Sequence, residues 1–244
     1  MMQIMKRLLC MLAALLLLVG SAAAAEVGMV VASDGAMCRE CELGDLGADA
    51  LRFYTGADIA LFASGDLGVG LQPGVLDGEK LAASFPNDAQ IALAQLDETA
   101  LRRLLEQSVS HITLDKNERI DAAASAYAGY FCVSGFSFRY DASAPEGERI
   151  YELDWPGGTV TAALPARYGG GEPVCTIREA AAAYLDSLGT IQPPEGGRIR
   201  ALGANDEPIV GGVFSRGFVL VVAVVAMVFG GARYRKKMRE RTER

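Results

Sequence analysis

Apolar residues fall into two kinds of run along this chain. Continuous apolar runs lie near the two ends, at 8–20 and 217–232, and between them the apolar positions are periodic. Leu43, Leu46, Gly47, Ala50, Leu51 and Tyr54 recur at helical spacing, with Asp45, Asp49 and Arg52 on or near the opposite face. That is the stripe of an amphipathic helix, and Gly56 stops it. Residues 58–63 read as a buried strand. Residues 64–74 are rich in glycine and carry a proline, which predicts a loop. A short helix over 77–83 and a strand over 90–96 follow. Asp97 is placed to cap a further helix, whose apolar stripe is Leu101, Leu104, Leu105, Val109 and Ile112. The alternation across 130–140 predicts one long strand with a bulge at Gly135. Strands are expected over 149–154 and 159–164. Thr176 and Glu179 have the spacing of a capping box opening a helix with Ile177, Ala181, Tyr184, Leu185 and Leu188 on one face. Helices and strands mixed without a strict βαβ repeat predict an α+β fold in a single domain.

The two terminal runs change the picture from domain to topology. Lys6 and Arg7 precede the first run, and small residues at 21–25 follow it, the pattern of a secretory signal peptide over 1–25. The run is shorter than the roughly 20 residues a membrane span needs. The second run extends back to Ile209 with Arg216 as its only charge, and Arg233, Arg235, Lys236, Lys237, Arg239, Arg241 and Arg244 follow it. An apolar span with basic residues on one side predicts a transmembrane helix whose tail is cytoplasmic. The expected partition is therefore a signal peptide (1–25), an ectodomain (26–200), a juxtamembrane linker (201–208), a transmembrane helix (209–232) and a basic cytoplasmic tail (233–244). Such a protein would sit in the cell membrane as a single-pass protein.

Charge narrows the partners. The chain carries 23 Lys+Arg against 30 Asp+Glu, a formal net charge of −7. Because the tail is basic, the ectodomain is more acidic than the whole, which excludes a phosphate-tracking nucleic-acid surface. Cys38, Cys41, Cys132 and Cys175 remain after removal of a signal peptide. Outside the cytoplasm four cysteines suggest disulfides, in any of three pairings. Plain thiols, a redox C-x-x-C at Cys38–Cys41 and a thiolate metal site stay open as alternatives. The second pair lacks metal-ligand spacing, so no metal or other cofactor is expected.

Several segments, in order, resemble the C-terminal, substrate-binding domain of the 5'-nucleotidase family. Glu40-Cys41-Glu42-Leu43-Gly44-Asp45-Leu46 with Ala48-Asp49-Ala50 resembles that family's opening E-x-x-L-G-N-L…A-D-A helix, Asp45 replacing Asn. Gly56 to Ala60, Leu76 to Asn87, Leu104 to Val109, Tyr130 to Phe136 with Tyr140-Asp141, and Pro193 to Ile199 resemble its later segments. The resemblance covers about residues 38 to 199. It implies a domain that binds a nucleoside or nucleotide, and it brings expectations for single residues. Tyr130 aligns with one of two rings that sandwich the base. Val174 stands where the second ring belongs, with Tyr168 able to compensate and Glu172 roughly replacing an Asp. Gly68 occupies the place of an anion-gripping Arg in the family's N-x-G-G-x-R loop, here 63–68. His111, the single His of the chain, falls near a second such Arg. The family's metallophosphatase motifs are not found in these residues, so no catalytic residue is expected. Three roles follow from the resemblance: a degenerate membrane-anchored binding or interaction module, the substrate-binding subunit of a split enzyme completed by a separate metallophosphatase chain, or a structural surface protein.

Overall fold

The structure is a computed structural model and describes residues 25–169 and 171–202. The expected signal peptide, apart from Ala25, and the expected transmembrane helix and tail lie outside the described residues. Among the described residues no helix is long and apolar enough to cross a membrane.

The elements follow in order. A two-residue strand β1 (Glu26–Val27) leads to helix α1 (Glu42–Thr55), strand β2 (Ile59–Ala63), a 3₁₀ turn (Ser64–Asp66), β3 (Gly74–Val75) and α2 (Gly78–Ser84). Then come β4 (Gln90–Leu96), α3 (Glu98–Val109), β5 (Phe131–Ser134), β6 (Ser137–Asp141), β7 (Ile150–Asp154) and β8 (Val160–Pro165). A single turn α4 (Ala166–Gly169), β9 (Pro173–Thr176), α5 (Ile177–Leu188), β10 (Thr190–Ile191) and β11 (Ile199–Leu202) complete the described order.

Local signals explain most of these boundaries. Asp97 accepts a hydrogen bond from the Ala100 amide at 2.8 Å and starts α3. Thr176 and Glu179 bond reciprocally and start α5. Gly56 ends α1 in the left-handed conformation, φ 67°.

The central sheet has five strands in the order β5-β2-β8-β4-β9. Only β2 and β8 run parallel; the other neighbours are antiparallel. Both faces are covered. Ala60 and Phe62 face one apolar cluster with Leu43, Leu46 and Leu51 of α1 and Ile177, Ala181 and Leu185 of α5. Ile59, Leu61 and Ala63 face the other, with Leu101, Leu105 and Val109 of α3. Phe138, Tyr140 and Ile150 join that second cluster from a separate sheet, β11-β6-β7. β10-β1-β3 form a third, small sheet. The expected α+β fold is what the chain adopts, a mixed sheet with helices against it.

The single strand expected over 130–140 is corrected. It is two strands in two different sheets, broken at Gly135, where φ is +86°. A side chain there would press on the Asp58 carbonyl oxygen, so the chain turns from one sheet to the other at a residue that only glycine fills comfortably. Periodicity shows apolar alternation but not which sheet receives it.

A polar seam runs beside α1. Arg198 grips Asp49 with two bonds of 2.8 Å and donates a third to the Val133 carbonyl at 2.8 Å. The Asp49 carboxylate also accepts from Ser134 Oγ at 2.6 Å. Glu40 accepts from the amides of Gly197 and Arg198, both at 2.8 Å, and so ties the start of β11 to the segment before α1. Asp45, only 1% exposed, lies 3.9 Å from Arg198 Nε, and one of its oxygens has no partner. Burial, then the neighbouring Glu40 charge, pushes its carboxyl up to about 10 against the opposing pull of Arg198. Asp45 is thus a neutral acid in the folded domain, the shape and polarity of the Asn it replaces.

Candidate functional site at one end of the central sheet

The pairing of β2 with β8 decides where polar loops gather. Because the two strands are parallel, the 3₁₀ turn after β2 and the α4 turn after β8 leave the sheet at the same end. The antiparallel neighbours β5 and β4 begin there: Phe131 pairs with Ala63, and Ile91 with Pro165. Four connections therefore converge beyond the C-terminal ends of the two parallel strands, the place where open sheets commonly bind ligands.

Backbone bonds fix this end. Ser64 and Gly65 donate their amides to the Tyr130 and Ala128 carbonyls, both at 2.8 Å. Ser64 Oγ donates to the Tyr127 carbonyl at 3.0 Å, and Asn87 Nδ2 to the Gly65 carbonyl at 2.9 Å. Gly68 is closely packed; a Cβ there would overlap the Ala83 carbonyl oxygen. The place of the family's arginine is thus sterically closed as well as chemically empty.

A different arginine supplies the cation. Arg167, on α4, donates Nη2 to the Asp66 carboxylate, whose side chain is 6% exposed. The Arg167 side chain is 45% exposed and lies over the Tyr168 ring, 4.9 Å from its centroid. Burial pulls the pKa of the guanidinium down, but the hydrogen bonds and charges of Asp66 and Tyr168 together outweigh it and the net shift is upward. One nitrogen of the fork is held by Asp66; the fork has five N–H donors and remains half open to solvent. Tyr168 meets Phe131 edge to face, centroids 4.9 Å apart.

The four residues expected from the resemblance differ in exposure and in their immediate partners. Tyr168 belongs to the Arg167 arrangement and is partly exposed. Tyr130 is 1% exposed, with its hydroxyl pushed well above its ordinary pKa by burial and then by Tyr140. Its ring is part of the second apolar cluster, so it presents no face to solvent in this structure. His111 is exposed after α3 and stacks on Tyr127, centroids 4.1 Å apart and 4° from parallel, with Ser110 Oγ 2.8 Å from its Nδ1. Those two rings lie in direct contact. Glu172 is exposed on the segment entering β9. The charge of Asp66, within the loop 63–68, is matched by Arg167. The signal that could have found Arg167 is its position just past the end of the strand paired parallel to β2, and reading that requires the strand order. Among the described residues no cluster of three His, Cys, Asp or Glu could hold a metal ion.

A five-stranded mixed sheet with helices against it defines an α+β domain. The family described as 5'-nucleotidase, C-terminal domain, matches residues 19–165, and the chain belongs to that family. Its fold is similar to that of a 5'-nucleotidase precursor from Thermus thermophilus, with TM-score 0.63 and 21% identity over 83% of this chain and 43% of that one. It is also similar to the Thermus thermophilus sulfate thiohydrolase SoxB, with TM-score 0.58 and 20% identity over 75% and 35% of the two chains. The NAD nucleotidase of Haemophilus influenzae is a further structural relative, with TM-score 0.55 and 10% identity over 74% and 39%. The chain spans less than half the length of each of these proteins. No curated protein matches the sequence.

Proposed function

We propose that the chain is a membrane-tethered binding module of the 5'-nucleotidase C-terminal family, taking a nucleoside-like ligand and carrying out no phosphoester hydrolysis of its own. The observation that carries the reading is Arg167, stacked on Tyr168 and half exposed at the ends of β2 and β8. A guanidinium on an aromatic face offers a flat surface for a base and free donors for a ribose or phosphate oxygen. With Tyr130 buried, the ligand would stack on one side only, which points to weaker binding than a two-ring sandwich gives. The tether is the span expected over 209–232, with the domain outside the cell membrane.

Calorimetric titration with adenosine and AMP tests this, repeated on Tyr168→Ala and Arg167→Ala. Saturable binding weakened about tenfold or more by Tyr168→Ala supports stacking at this end of the sheet, since one stacked base contributes roughly 1–3 kcal/mol. Binding unchanged in both variants would overturn the assignment of the site. Phosphate release from AMP by the purified chain alone would overturn the non-catalytic reading. A second reading, a substrate-binding subunit for a separate metallophosphatase chain, is supported by membership of the 5'-nucleotidase C-terminal family. It requires a partner that co-purifies with the chain and hydrolyses AMP faster in its presence.

A further inference from the structure

Helix α1 begins with a thiol. Cys41 is its N-cap, and its Sγ accepts a hydrogen bond from the Gly44 amide at 3.3 Å. Cys132 sits inside β5, the strand against which α1 packs. Both sulfurs crowd one point beside Gly44. A Cβ added there would overlap Cys132 Sγ and lie 3.1 Å from Cys41 Sγ. The Cys132 thiol donates a hydrogen bond to the Cys41 sulfur. The other cysteines are placed differently: Cys38 bonds the Gly35 carbonyl at 3.5 Å, and Cys175 lies on β9 in the first apolar cluster.

We infer that Cys41 and Cys132 are a redox pair that closes to a disulfide, linking the first turn of α1 to the central sheet. Geometry selects this pairing from the three that four cysteines allow, and it passes over the sequence-adjacent Cys38–Cys41 pair. The bond it forms joins positions far apart in sequence, so it restricts the unfolded chain strongly. The signal peptide expected over 1–25 would deliver the domain to a compartment in which such bonds persist.

The oxidant is a small disulfide or a disulfide-bearing oxidoreductase. Cys41, as the thiolate, attacks one sulfur of that disulfide, forming a mixed disulfide and releasing one thiolate. Cys132 then attacks the Cys41 sulfur, releasing the second thiol, which takes the Cys132 proton. Two protein thiols are oxidised and one disulfide is reduced to two thiols. The order of attack follows from the local chemistry. The hydrogen bond from Cys132, opposed by burial and helped by the Gly44 amide, holds the Cys41 thiol below its ordinary pKa. The same shared proton, with burial, raises Cys132.

The test uses the full purified chain, incubated with oxidised glutathione or with dithiothreitol, then alkylated, digested without reductant and analysed by mass spectrometry. The expected result is a linked peptide joining Cys41 to Cys132, absent after reduction. Reduction should lower Tm by roughly 5–10 °C. A C38A/C175A double variant should keep both the linked peptide and the Tm difference, and it preserves the cysteines whose removal could unfold the domain. Alkylation of all four cysteines after oxidation would overturn the inference. So would a link from Cys41 to Cys38, or loss of the Tm difference in the double variant.

Discussion

Arg198 and Arg167 each close on an aspartate, and they hold it in different ways. Arg198 bonds both oxygens of Asp49 and a strand carbonyl, its side chain 20% exposed. Arg167 bonds Asp66 through one nitrogen and lies over a tyrosine ring, its side chain 45% exposed. The first guanidinium is held by the fold at both terminal nitrogens; the second is held at one and keeps more of its surface open. An arginine in an uncharacterised domain is therefore better judged by its open donors than by its acidic partner.

The largest effect should come from Arg198→Ala, which strands Asp49 beside the already neutral Asp45. A loss of about 3–5 kcal/mol is expected from urea denaturation midpoints. A loss under about 1 kcal/mol would erase the distinction between the two arginines. Gly68→Arg, which places the family's arginine where this loop has none, should cost about 1–3 kcal/mol by overpacking against the Ala83 carbonyl. If it instead stabilises the domain and binds AMP, the loop opens more readily than its packing implies.

Asp45→Asn should stabilise the domain by about 1–2 kcal/mol at pH 8. The folded carboxyl, near 10, lies above its unfolded value, so the folded state holds the extra proton. The contribution of Asp45 to stability is full below its unfolded pKa and falls as pH rises toward 10. The gain from Asn should accordingly be larger at about pH 9 than at about pH 6, and a gain independent of pH would mean that Asp45 is ionised in the fold. The smallest effect belongs to Arg167→Ala, about 1 kcal/mol or less in thermal denaturation, because the pair is half exposed. A much larger loss would make Arg167 another Arg198 and remove it from the binding site.

The helices were legible in the sequence because their signals are local. The α1 stripe, the Asp97 cap and the Thr176–Glu179 box each lie within a few turns and are observed as expected. So were the buried strand at Ile59–Ala63 and the strand at Gln90–Leu96. The failures are long-range. Gly135 carries the chain between sheets because of a contact with Asp58, far earlier in the sequence. β1 and β10 are two residues each, too short for any period to show. Family resemblance drew attention to Tyr130 by position, and the structure buries it; Arg167 drew none, because the bond that defines its role spans 101 positions.

The pairing of β11 has a mechanical meaning. Four residue pairs, Ile199–Phe138 to Leu202–Asp141, run parallel, and Glu40 clamps the residues just before them. β11 is the last described element, and the chain continues from it toward the span expected at 209–232. A pull along that strand would load the ladder in shear, all four pairs together, rather than peel it one bond at a time. Force arriving along β11 would then be met by this ladder and by the Glu40 clamp together.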